Sequence, residues 1–169
     1  MFSRLFPKQF DNNYRGYKLA IWLLVPIVLS KLFMGVNVAG FNPWISSRWV
    51  LQHADAIPID RFGAEAGSVV VFLFSAWGLA LLVLSLLGVM VLIRYRTMIP
   101  LMYLLLGAEQ IGRKALSLMH PIVRTSEPGD FSPGVLINWG FTALLAFGLA
   151  LSLAAPREAK ASIASREGN

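Results

Sequence analysis

The side chains able to do acid–base or ion-binding chemistry crowd into one short segment, Gly107-Ala-Glu-Gln-Ile-Gly-Arg-Lys-Ala-Leu-Ser-Leu-Met-His-Pro121. On a helix turning about 100° per residue, with Glu109 as origin, His120 falls at about 20°, Arg113 at about 40°, Ser117 at about 80°, Gln110 at about 100° and Lys114 at about 140°. The polar groups therefore share one face. Ala108, Ile111, Gly112, Ala115, Leu116, Leu118 and Met119 take the remaining arc. Glu109 and Arg113 stand four apart with the acid first, the spacing and order at which helical side chains pair. A further cation, Lys31, lies deep in an apolar run; counting helical rise puts it about 20 Å from its helix entry, level with Glu109 at about 16 Å and Arg113 at about 22 Å.

One carboxylate against two or three cations leaves positive charge in excess, the chemistry of a site that holds an anionic or carbonyl oxygen. In that reading Arg113 grips the ligand with its planar fork and Lys31 adds charge. Glu109 orients both, and Gln110, Ser117 and Asn138 supply neutral hydrogen bonds. The plainer reading of the same residues is an ion pair that fixes helix register. Lys114, at the edge of the polar sector, is expected to extend its ammonium outward. His120, next to Pro121, is expected to hydrogen-bond at the helix boundary, and His53 is a lone loop histidine.

Other chemistry is excluded or unsupported. With no cysteine there is no thiolate nucleophile, disulfide, Cys-ligated zinc or iron–sulfur centre. His53 and His120 make no recognised ligand spacing with Asp55, Asp60, Glu65, Glu127 or Asp130, and no phosphate-cradling glycine loop or nucleophile elbow occurs. No catalytic residue, metal ligand set or cofactor is identified.

The elements that must position these groups follow from composition. Of 169 residues, 56% are hydrophobic and 14% charged, with a mean hydropathy of +0.62, which is more apolar than ordinary soluble domains. Four runs are long enough to cross a bilayer, residues 18–38, 66–93, 98–119 and 134–155. The fold class expected is all-α, a four-span transmembrane bundle forming one domain over 18–155, preceded by a segment at 1–17 and followed by a polar tail at 156–169. Only Arg94-Tyr-Arg-Thr97 separates the second and third runs, which makes them antiparallel neighbours. Nine Lys and Arg flank the spans on one side and three on the other. This asymmetry predicts both termini in the cytoplasm, in the cytoplasmic membrane of a bacterium, with anionic lipid headgroups rather than nucleic acid as partner.

Between the first two runs, Asn42 before Pro43 predicts a helix cap and first-turn proline, opening a short interfacial helix from Trp44 to about Ala54. Trp44 and Trp49 would be its interfacial anchors. Small and hydroxyl residues mark seams for helix approach: Ser68, Ser75, Gly78, Leu82 and Ser85 in the second run; Asn138, Thr142, Leu145, Leu149 and Ser152 in the fourth. A ridge of Ala108, Gly112 and Ala115 is expected to seat another helix of the chain. The function expected is that of a multipass membrane protein whose charge cluster binds the anionic or carbonyl head of an amphiphile (a lipid, isoprenoid or quinone-like molecule). The alternatives are an accessory subunit or assembly factor docked on a partner membrane protein, and a proton or ion carrier.

Overall fold

The computed structural model describes residues 5–7, 9–121 and 133–154, with side chains of the last helix described from residue 137. Five α-helices build the fold among the described residues: α1 Lys18–Val38, α2 Ser47–His53, α3 Ala64–Ile93, α4 Ile99–Met119 and α5 Pro133–Leu153, with 3-10 turns at Ile59–Arg61 and Arg96–Met98. Helix α1 is central. Its buried residues Ala20, Leu24, Ile27, Val28, Lys31, Gly35 and Val38 recur at three- and four-residue steps and make one continuous face. That face meets α3 along most of its length and also touches α5 and α4.

The core joins Ala20, Leu24, Ile27 and Val28 of α1 to Val91 of α3, Ile99, Met102, Tyr103 and Leu106 of α4, and Leu145 of α5. Tyr103 crosses the middle of it: its ring lies against Gly148 of α5 and its hydroxyl donates to the Ala20 carbonyl at 2.7 Å. Burial, with the Tyr14 phenol nearby, pushes the Tyr103 hydroxyl well above the usual tyrosine range. At the α1–α3 crossing, a Cβ on Gly35 would stand 2.8 Å from the Leu82 backbone nitrogen, so hydrogen is the only side chain the approach admits. Helix α1 ends in a Schellman motif. Phe41 N–H donates to Val36 O and Gly40 N–H to Asn37 O, with Gly40 at φ +79°.

The four-span arrangement is not the one the structure supports. Two helices, α1 and α3, have the length and apolarity to cross a membrane. Helix α4 carries Glu109, Arg113 and Lys114, and α5 offers only the shorter apolar stretch Ile137–Leu153. Among the described residues the architecture is an all-α bundle of five helices in which Lys31, Glu109, Gln110, Arg113 and Asn138 pair with one another. The inside-facing termini, the lipid-headgroup partner, the multipass placement and the bacterial cytoplasmic membrane were all inferred from four spans, and they fall with them. The physical reason is that a continuous apolar run suits the interior of a packed bundle as well as a bilayer, and hydropathy alone does not separate the two. The outer faces still carry large apolar side chains, among them Trp22 and Phe33 of α1, Phe72 and Ile93 of α3 and Leu118 of α4.

Helix α2 also departs from expectation. Asn42 spends its side chain elsewhere: Oδ1 accepts from Trp44 N–H at 2.9 Å, closing an Asx turn, and Nδ2 donates to Asn37 Oδ1 at 2.7 Å. Ser46 is the actual cap, accepting from Trp49 N–H at 3.2 Å, so the helix opens at Ser47 and leaves Trp44 in the turn. Its position is set by packing within the bundle. Leu51 and Ser47 are buried, and α2 packs on α3 and α1.

Candidate functional site

Helix α4 turns its polar face toward α1 and α5 because Ile99, Met102, Tyr103 and Leu106, which recur at the spacing of one helix face, bury the preceding turns in the core and fix its rotation. One turn further on, that face delivers Glu109, Gln110 and Arg113 to Lys31 of α1 and Asn138 of α5. Lys31 Nζ donates to Glu109 Oε2 at 2.7 Å and to Gln110 Oε1 at 2.9 Å. Arg113 Nε donates to Glu109 Oε1 at 2.7 Å, and its Nη2 donates to Gln110 Oε1, also at 2.7 Å. Gln110 Nε2 in turn donates to Asn138 Oδ1 at 2.9 Å and to Asn138 O at 3.3 Å; the latter oxygen also accepts from Thr142 Oγ1 at 2.8 Å. The Gln110 amide has only one sensible orientation here, with its oxygen toward two cations and its nitrogen toward two acceptors.

The cluster grades from closed to open. The Lys31 side chain is 4% exposed, that of Glu109 18% and that of Arg113 30%. Burial holds the Lys31 ammonium below the usual lysine range, and Arg113 adds to that, while the charge and hydrogen bond of Glu109 pull the other way. Both Glu109 oxygens lie in charge-assisted bonds, which suits the carboxylate to orienting cations more than to taking a proton from a substrate.

Two tryptophans that sequence reasoning did not place complete the surroundings. The Arg113 guanidinium sits over Trp77 of α3, 5.1 Å from the ring centre, and Lys114 Nζ sits over Trp139 of α5 at 3.3 Å. Lys114 does not extend outward as expected. Its ammonium is buried, with no hydrogen-bond acceptor among the described residues. The available signal was Trp139 standing beside Asn138, the fourth-run residue already expected to hydrogen-bond the polar stripe, so that a cation at the stripe's edge had an aromatic face to cover.

The structure thus brings together Lys31, Glu109, Gln110, Arg113 and Asn138. Ser117 and His120 stay outside: both are exposed, Ser117 Oγ donating to Lys114 O at 2.9 Å. Trp44 is 90% exposed, and Trp49 stacks on His53 with ring centres 4.5 Å apart; their role as anchors presupposed a bilayer interface. The ridge of Ala108, Gly112 and Ala115 is exposed, and nothing stands within 4 Å of a Cβ built on Gly112, so no described helix of the chain is seated there. Among the described residues no three His, Asp or Glu side chains are grouped to hold a metal.

No family model, curated protein or solved structure matches the chain. Its function is therefore argued from geometry. The amphiphile-head site and the ion-carrier reading required charges set in a bilayer by a four-span protein, and the accessory-subunit reading required that protein to dock in a larger membrane complex. They are set aside because the ion pairs lie inside a five-helix bundle, between α1 and α4 and within α4.

Proposed function

We propose that this chain is a binding protein for a small anion, whose carboxylate, phosphate or sulfate group is received by Arg113 and Lys114. The carrying observation is the Lys114 ammonium, buried on Trp139 with no acceptor among the described residues, beside a cluster in which one carboxylate faces two cations. A buried charge without a hydrogen-bonding partner is costly, and an indole face offsets only part of that cost. An incoming oxyanion supplies the missing acceptor. Arg113 contributes its outer edge, since Nε and Nη2 are turned inward to Glu109 and Gln110. Glu109 and Gln110, themselves fixed by Lys31, hold that guanidinium in place, so the pocket's charge is organised before the ligand arrives.

The test is tryptophan fluorescence titrated with sodium sulfate and with sodium acetate, at ionic strength held constant with chloride. A saturable change is expected in the wild type, because drawing Lys114 off Trp139 alters that indole's surroundings. It is expected to vanish in Lys114→Met and in Trp139→Phe. A wild-type signal that never saturates, or an identical curve in Lys114→Met, overturns the proposal.

A further inference from the structure

A second site lies at one end of the bundle, where the segment before α1 crosses the hairpin joining α3 to α4. Thr97 straps that segment down: Asp11 N–H donates to Thr97 Oγ1 at 3.2 Å, and Thr97 Oγ1 and N–H donate to Asp11 O at 3.0 and 3.3 Å. Tyr17 N–H reaches Leu151 O on α5 at 3.4 Å. The strapped chain, the hairpin and the end of α5 enclose a cleft of about 420 Å³, walled by Pro7, Pro100 and Ser152 and by the polar side chains of Gln9, Asn13 and Arg15. That volume lies in the range of sites for small organic molecules, roughly 300–1,000 Å³.

The charge around the cleft selects the ligand. Arg15 is exposed on its wall; beyond the lining, Lys18 opens α1 and Arg94 and Arg96 belong to the hairpin, Arg96 Nε donating to Leu92 O at 3.1 Å. One acid, Asp11, also lines the cleft, with its Oδ1 turned to accept from Asn13 N–H at 2.9 Å. A cleft whose lining includes an arginine and two amide residues has donors for an oxyanion and for the hydroxyl or carbonyl groups of the molecule that carries it. We infer that this cleft binds a small organic phosphate or carboxylate, held at its charged end by Arg15. The inference is independent of the site at Arg113 and Lys114.

Arginine modification by phenylglyoxal, mapped peptide by peptide on the full chain, tests it with glycerol 3-phosphate and citrate as probes. Saturable protection of Arg15 is expected, with the labelling of Arg61, an exposed arginine outside the cleft, unchanged. The probe that protects at the lower concentration identifies the head group. Arg15→Gln is expected to weaken calorimetric binding of that probe by about tenfold or more, the loss of one charge-assisted pair. Equal labelling of Arg15 with and without both probes, equal slowing at Arg61, or the same protection by uncharged glycerol overturns the inference.

Discussion

Glu109→Gln isolates the electrostatics of the cluster, because the amide keeps the carboxylate's shape and removes its charge. In the wild type, Lys31 is 4% exposed and 2.7 Å from Glu109. In the variant its ammonium keeps one strong acceptor, Gln110 Oε1, which it shares with Arg113. Breaking a buried pair by neutralising one partner costs about 3–5 kcal/mol, since the remaining charge stays buried. That is a large fraction of the roughly 5–15 kcal/mol that holds a domain folded. Urea unfolding followed by helical ellipticity should show the loss, and the all-apolar replacement Lys31→Met, Glu109→Leu, Arg113→Met should restore it.

The pH dependence gives a second reading of the same variant. Burial sets the folded-state pKa of Lys31 below its usual 10.5, so between the lowered value and 10.5 the unfolded chain binds more protons than the folded one. Stability then rises with pH across that window. Without Glu109 to pull the pKa up, the window widens toward lower pH and the rise steepens. A loss of less than about 1 kcal/mol in Glu109→Gln, the scale of an exposed pair, with no change in pH profile, would refute the account.

Three further variants probe the frame around the site. Gly35→Ala places a methyl group against the Leu82 backbone, and is expected to destabilise by about 1–3 kcal/mol in urea unfolding as α1 and α3 are forced apart. Ser46→Ala removes the acceptor for Trp49 N–H; a loss of about 1 kcal/mol is expected, with faster hydrogen exchange confined to the first turn of α2. Tyr103→Phe deletes the hydroxyl that reaches Ala20 O and should lower stability by about 1 kcal/mol on thermal unfolding while leaving the fold's ellipticity unchanged.

Helical periodicity was legible because it needs only side-chain order. The apolar runs coincide with α1, α3, α4 and α5 to within a few residues, and the sector through Glu109, Gln110 and Arg113 is the face that meets Lys31. Solvent was not legible, since apolar runs carry no mark of what lies beyond them. The start of α2 was missed because Asn42 and Ser46 are both good caps. The choice between them depends on Asn37, which draws the Asn42 amide back toward the end of α1. Lys114 was misplaced because outward extension assumes that its aliphatic stem has apolar cover and its head has water, whereas Trp139 sits where the ammonium ends. The second-run seam was read in part. Gly78 and Leu82 lie at the close approach to α1 and Ser85 is buried, whereas Ser68 is exposed and Gly88, which meets Val28 of α1, stood outside the expected seam.

The position of the cluster follows from how α1 and α4 meet. The two helices touch little directly, α1 spending most of its buried face on α3. Near the start of α4, Tyr103 ties that helix to Ala20 by a hydrogen bond deep in the core. Two turns later the packing between α1 and α4 gives way to Lys31, Glu109 and Gln110, and through Gln110 to Asn138 on α5. Apolar contacts tolerate sliding along a helix axis; two cations sharing a carboxylate and an amide oxygen within 3 Å do not. The same bonds that set the register also turn the remaining edge of Arg113 away from the core. A frame that positions its helices by charge thereby leaves, at its margin, a cation already oriented for a partner from outside.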